Sequence, residues 1–347
     1  MLQSSGAHTQ LAKDLRAAVA DLHQIRPWVG CWRFMVMGTV VVSLSAIAWQ
    51  LSDLFLFAGV TVLAGIVYAF WFICTHDATH QTLTGWRWFD AVMPRLISWP
   101  MLWPFGTYAI LHRLHHGWNG TDLRDPERVH WTRGEYQQAH PLLRWYVRHQ
   151  WIIDIFVLSG IGLIIKTLLQ GIHLQDIQPR LRTQMTLDLA SIALIQSSVI
   201  SFLYFTGHNI FKYLLFWLLI ERTVGIIIQT RDHIEHYGLW GAAGNYQLTQ
   251  LYTCRNIQAG GGLNWLMGGL PYHSIHHAFP DIAFDRLPAA FHRIEAVLAD
   301  HNLPSMALER GYLSSAFSWV RETSLYGHPV MIDEGLRDRK IDDLAPT

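Results

Sequence analysis

The sequence predicts an all-α integral membrane protein: four transmembrane helices in two hairpins, interfacial helices and a cytosolic helical cap. Three observations carry that reading. The 347 residues are 51% hydrophobic and only 15% charged, where a soluble globular chain carries about 25% charged residues. The apolar residues are gathered into runs of membrane-spanning length. Finally, those runs come in pairs whose turns contain no Lys or Arg, whereas the segments around the pairs are rich in both.

Residues 1–30 are polar, and Leu11, Leu15, Ala18, Val19 and Leu22 recur at helical spacing. They read as an amphipathic segment lying on a membrane surface. No short apolar stretch with a small-residue cleavage site precedes the first long run, so a signal peptide is not expected. Residues 31–290 form the membrane domain. Its first pair of crossings, 32–50 and 54–75, is interrupted only at Ser52 and Asp53. The stretch 89–111 is apolar but broken by Pro94, Pro100 and Pro104, and reads as interfacial or re-entrant. The second pair, 187–206 and 209–229, is joined by Gly207 and His208. Between the pairs lies a further apolar run, 151–170. Residues 291–347 complete the cytosolic cap and end in a tail, with an amphipathic helix over 286–302.

Basic residues orient the chain. Segments 1–30, 76–150, 171–186 and 230–347 carry the Lys and Arg, and the positive-inside rule assigns all four to the cytoplasm. Run 151–170 then starts and ends on one side, and is expected to be interfacial or re-entrant. Lys+Arg and Asp+Glu are both 26, so no global basic field exists to attract nucleic acid. The three cysteines, Cys31, Cys74 and Cys254, are scattered and make no disulfide framework.

Histidine carries the chemistry. There are 20, and half lie in four clusters: His76-Asp77-Ala78-Thr79-His80, His112-Arg113-Leu114-His115-His116, His233-Ile234-Glu235-His236 and His273-Ser274-Ile275-His276-His277. The HxxHH pattern should occur by accident about 0.07 times in such a chain, yet it occurs twice. Spacings of three and four put imidazoles on one helix face. Helices of 27 residues reach about 40 Å, beyond a hydrocarbon core of about 30 Å, so clusters at 76–80 and 233–236 emerge on the same side. Eight to ten histidines are too many for one ion and fit two. A cap holding a di-metal site follows, with a two-iron centre as the economical choice. The remaining ten histidines, His130 among them, read as ordinary.

HDATH (76–80), HRLHH (112–116) followed by Thr121-Asp122 and Asp125-Pro126, and HSIHH (273–277) followed by Phe279-Pro280 resemble the three histidine boxes of the membrane fatty acid desaturases. Glu235-His236-Tyr237, Thr253-Cys254-Arg255-Asn256 and the stretch from Asn264 to Leu270 are similar to family segments before the last box. The likeness runs from about 70 to 290. It implies a four-crossing helical fold with a non-haem di-iron site (Fe2+/Fe3+) ligated by His76, His80, His112, His115, His116, His236, His273, His276 and His277. The family carries one histidine on its fourth crossing helix; here there are two. Tyr237 favours His236, which leaves His233 as an additional ligand or an outer partner. Asp232 stands where some members use an Asn to hold a metal-bound water. The resemblance further implies O2 as co-substrate, a fatty-acyl lipid substrate, and two electrons from an external donor such as a ferredoxin, or a cytochrome with its reductase.

Asp77, Asp122, Asp125, Glu235, Asp281 and Asp285 lie beside the boxes and are candidates to orient imidazoles. Arg222 and Gln229 share a helix face with His233 and His236. Arg222 falls about 21 Å below His236. Charges in a spanning helix are costly and usually functional, so Arg222 and Gln229 are candidates to line a substrate channel. Arg113, Arg124 and Arg128 are candidates to meet an anionic headgroup, carrier or redox partner. Three functions fit these residues: a fatty-acyl desaturase introducing a C=C bond, a hydroxylase or ketolase of the same superfamily acting on an alkane, carotenoid or other lipid, and a histidine-rich metal transporter. A transporter should hold its ligands near the bilayer midplane, which the helix-end clusters oppose.

Overall fold

The computed structural model describes residues 2–319 and 325–326. Met1, 320–324 and most of the expected tail, 327–347, lie outside the described residues, and with them His328. The described chain is almost wholly helical.

Helix α1 (Leu2–Val19) continues through a short tight turn at Ala20–His23. Its apolar face meets protein, not lipid: Leu11, Leu15, Val19 and Leu22 are buried against Leu248, Ile275 and the cap helix α14 (Leu287–Asp300). The spacing that suggested a membrane-surface helix therefore serves docking onto the cap. Four ion pairs border the seam: Asp14 with His301 at 2.9 Å, Asp21 with Arg293 at 2.5 Å, His23 with Asp281 at 2.8 Å, and Arg26 with Asp285.

Helix α2 (Pro27–Gln50) opens on a proline, whose missing N–H costs nothing at a first turn. Helix α3 (Leu54–Thr79) is capped by Asp53, which accepts from the Leu56 N–H at 2.8 Å. Only Leu51–Asp53 separate the two, which pack side by side. Proline splits the next stretch into a pair of helices: α4 (Arg87–Ser98), a break at Trp99–Pro104 where Leu102 takes φ 59°, and α5 (Phe105–Trp118). After the short α6 (Arg133–Gln138), α7 (Pro141–Ile152) passes through a widened turn at Ile153–Leu158 into α8 (Ser159–Leu174). Helices α9 (Arg180–Phe205) and α10 (Ile210–His236) follow each other across a short turn, with Asn209 capping α10. The cap comprises α11 (Tyr246–Thr253), α12 (Gly261–Leu266), α13 (His273–Ala278), α14 and α15 (Tyr312–Trp319), tied by a short parallel pairing of Asn256–Ile257 with Leu308–Glu309.

Among the described residues, four helical stretches are long and apolar enough to cross a membrane: Pro27–Gln50, Leu54–Thr79, Pro141–His173 and Arg180–Phe205. The third contains the run 151–170 and, with the helix before it, reaches 33 residues. Helix α10 is not among these four, and it carries Lys212, Glu221 and Arg222 within its apolar stretch. It nevertheless runs alongside α3. Lys212 donates to the carbonyls of Trp49 and Leu51 at the α2–α3 turn, both at 2.8 Å. Midway, a Cβ on Gly65 of α3 would stand 2.8 Å from Thr223.

The widened turn explains the polar residues of α10. Bending the helix at Ile153–Leu158 frees backbone groups, which need other partners. Arg222 donates to the carbonyls of Val157 (2.7 Å) and Leu158 (2.8 Å), and Glu221 accepts the Ile161 N–H at 2.6 Å. Gln229 donates to the carbonyls of Asp154 (3.0 Å) and Ser159 (3.1 Å). Arg222 and Glu221 also form an ion pair, although neighbours on a helix do not normally face each other. Arg222 and Gln229 thus brace the broken helix, and Gln229 also lines a cleft of about 710 Å³ beside Asp154, Lys166 and His233.

Candidate metal centre

Three helices of the membrane domain and one of the cap bring the histidines together. Helix α3 ends on His76 and His80, α5 carries His112, His115 and His116, α10 ends on His236, and α13 carries His273, His276 and His277. Two constellations form. In one, donor atoms of His76, His80, His112, His116 and His276 all lie within 4.8 Å of one another. In the other, so do those of His236, His273, His277 and Cys254. His115 stands at the second, its ring centroid 4.8 Å from that of His236 and 4.9 Å from that of His277.

These side chains fit metal ions. The Nε2 atoms of His76, His80, His115, His276 and His277 are buried without a hydrogen-bond partner, a costly arrangement in protein alone. Nε2 of His116 faces Nε2 of His112 at 3.1 Å, and Nε2 of His273 faces that of His236 at 2.9 Å. Two imidazoles on one ion, with bonds of about 2.1 Å, place their nitrogens roughly 3 Å apart. Burial and neighbouring imidazoles hold His112, His116, His273, His276 and His277 well below the usual histidine range, so their lone pairs are free at neutral pH.

Several of the opposite ring nitrogens have outer partners, as is usual for ligating histidines, whereas Nδ1 of His116 and of His273 make no hydrogen bond among the described residues. Asp77 lies 3.2 Å from Nδ1 of His76, and is itself held by fully buried Arg33 at 2.7 Å. Glu127 lies 2.9 Å from Nδ1 of His112, and Asp125 lies 2.8 Å from Nδ1 of His115. Burial pushes Glu127 up to about 7. Burial works the other way on His115, but Asp125 and Glu127 outweigh it and raise the imidazole to about 9. Glu235 faces Nδ1 of His273 at 3.3 Å and is fixed by Arg231 (2.8 Å) and Tyr312 (3.0 Å). Gln250, bonded to Asn119, meets Nδ1 of His277 at 3.1 Å. Cys254 Sγ lies 3.8 Å from Nδ1 of His236.

Of the flanking acids, Asp77, Asp125 and Glu235 thus face imidazoles. Asp122 pairs with Arg124, Asp281 with His23, and Asp285 with Arg26. Arg33, Asn119, Glu127, Gln250 and Cys254 were not anticipated. A charge near the start of the first apolar run was the available signal for Arg33; the others are distant in sequence from the rings they touch. His233 stands outside both constellations: its Nδ1 meets the Gln229 carbonyl at 2.9 Å, and Nε2 faces Asp154 at 3.5 Å. His130, read as ordinary, is buried with both ring nitrogens unpartnered.

An apolar path leads away from the centre. A cavity of about 60 Å³ is lined by Phe72, Trp103, Tyr108, Leu163 and Ile228, with His76 and Asp232 at its polar end. Phe72, Trp103, Leu163 and Ile228 also line a second cavity of about 40 Å³, which reaches Met101, Gly225 and Glu221.

The fold and the centre define a class: a helical protein with membrane-length apolar helices and a buried histidine cluster built for metal. A family model described as fatty acid desaturase matches residues 52–308, and the chain belongs to that family. Curated relatives include the Delta(8)-fatty-acid desaturase of Euglena gracilis, 25% identical over 70% of this chain and 62% of that protein. The sn-1 oleoyl-lipid 12-desaturase of Arthrospira platensis is 25% identical over 31% of each chain. The sn-1 acyl-lipid omega-3 desaturase (ferredoxin) of Nostoc sp. (strain 36) is 26% identical over 39% of this chain and 38% of that protein. The chain therefore spans less than two thirds of the length of these relatives.

Proposed function

We propose that this protein is an O2-dependent fatty-acyl lipid desaturase. The observation that carries the reading is the pair of histidine constellations at the head of an apolar path. His76, His80, His112, His116 and His276 would hold one iron ion, and His236, His273 and His277, with His115, a second. Bound there, the iron pair would supply O2 activation with two electrons from an outside donor. A ferredoxin, or a cytochrome with its reductase, is the donor class; the name of the Nostoc relative supports the former.

The chain's own residues do the rest. Phe72, Trp103, Tyr108, Leu163 and Ile228 take up the acyl chain, hold a methylene beside His76 and keep water away. Asp77, Asp125, Glu127 and Gln250 keep Nδ1 of their partner histidines turned outward, so Nε2 points inward, and the Glu235 carboxylate stands beside His273. Asp232 borders the same cavity and is available to hold water or a proton there.

In the membrane, α2, α3, α9 and α10 are the four crossings of this proposal. The run of α10 beside α3, from the α2–α3 turn to the histidines, supports counting it despite its charges. The distribution of Lys and Arg supports a cytoplasmic centre. The test is mass spectrometry of lipids from cells expressing the wild type or His276→Ala, with iron and donor supplied. A new acyl double bond in the wild type alone is expected. Hydroxylated or keto products would move the chemistry to a related oxidase, and no new acyl product would contradict the assignment.

A further inference from the structure

On the other side of α5 from the acyl path lies a separate cleft of about 260 Å³. Tyr108 and Leu111 face the path, whereas Ala109, Ile110 and Arg113 face the cleft. Four arginines line it: Arg87 and Arg95 from α4, Arg113 from α5 and Arg180 at the start of α9. Among the described residues, none of the four has a carboxylate within 4 Å.

The nearby acids are already used. Asp90, in the lining, accepts from the Thr84 hydroxyl at 2.6 Å and from the Gly85 N–H at 3.1 Å. Asp188, buried beneath, accepts from Trp99 Nε1 and from the N–H groups of Gly106 and Thr107. Arg95 and Arg113 are positioned by neutral groups, through Gln184 at 2.9 Å and the Thr79 carbonyl at 3.2 Å. Four arginines set against the carboxylates of Asp90 and Asp188 leave this small cleft net positive, a receptor for a compact oxyanion.

The surroundings narrow the ligand. Helix α3 ends at Thr79 and α9 begins at Arg180, so the cleft sits where membrane-length helices end. Beside it, α4 exposes Trp88, Val92 and Leu96 along one face, a stripe suited to the membrane interface. We propose that this cleft binds the phosphate of a phosphate ester, the headgroup of a membrane phospholipid being the source its position favours. The site is distinct from the metal centre and does not rest on the desaturase reading.

The experiment is native mass spectrometry of the full chain in detergent, with dioleoylphosphatidylglycerol or dioleoylglycerol added. One phosphatidylglycerol per chain, and no retained dioleoylglycerol, is expected. Arg87→Gln with Arg180→Gln, both at the exposed rim, should weaken retention roughly thirtyfold, and Arg87→Lys with Arg180→Lys should recover part of it. Displacement by millimolar inorganic phosphate would support the site and assign it to soluble phosphate esters; resistance would support it and assign it to lipid. Equal binding of the two lipids, or undiminished binding by the glutamine variant, would overturn the proposal.

Discussion

At the scale of the residue, the centre rests on imidazoles turned by their outer partners. Asp125 and Glu127 hold the Nδ1 atoms of His115 and His112. Replacing either by its amide keeps the shape and removes the negative charge. Asp125→Asn and Glu127→Gln are each expected to weaken metal retention about 10–100-fold, read by titration with a competing chelator. Asp122→Asn, beside the same box but paired outward with Arg124, should leave retention unchanged. Sequence made the histidines legible because spacings of three and four are local facts. It listed Asp125 and Asp122 as equals, because adjacency does not tell which way a carboxylate turns. Glu127 and Gln250 were illegible for the opposite reason: they reach their rings across 15 and 27 residues.

At the scale of the element, the informative feature is the broken helix at Ile153–Leu158 and its brace on α10. Nothing in an apolar run announces a widened turn, so the backbone groups that Arg222 and Gln229 satisfy were not legible in the sequence. Arg222→Met would strip donors from Val157 and Leu158 and leave Glu221 buried without its cation. A loss of up to about 3–5 kcal/mol is expected, measured as thermal unfolding in detergent. Gly225→Ala attacks the same contact sterically, since a Cβ there would stand 2.0 Å from the Gly160 nitrogen; overpacking of this kind costs about 1–3 kcal/mol or more. Gly59→Ala on α3 meets nothing within 4 Å and should be neutral or stabilising by up to about 1 kcal/mol. Equal responses at the two glycines would contradict the packing described.

At the scale of the whole molecule, the N-terminal segment belongs to the cap. Leu15 is fully buried in the shared core, while the ion pairs along the seam are partly exposed. Burial should decide. Leu15→Ala is expected to cost about 2–5 kcal/mol, and Asp14→Asn about 0–1 kcal/mol, both by thermal unfolding of the full chain. The spacing of Leu11, Leu15 and Leu22 made the helix legible, but an apolar face does not say whether lipid or protein will cover it.

The cap and the membrane helices meet at the histidines, and the central claim is that they enclose two ions. The most direct test is iron per chain, measured by elemental analysis on protein purified in detergent, for the wild type, His116→Ala and His277→Ala. The account predicts a value near two for the wild type, with each variant, one from either constellation, losing metal. A wild-type value of one or zero after iron loading, or variants that keep the full complement, would contradict it.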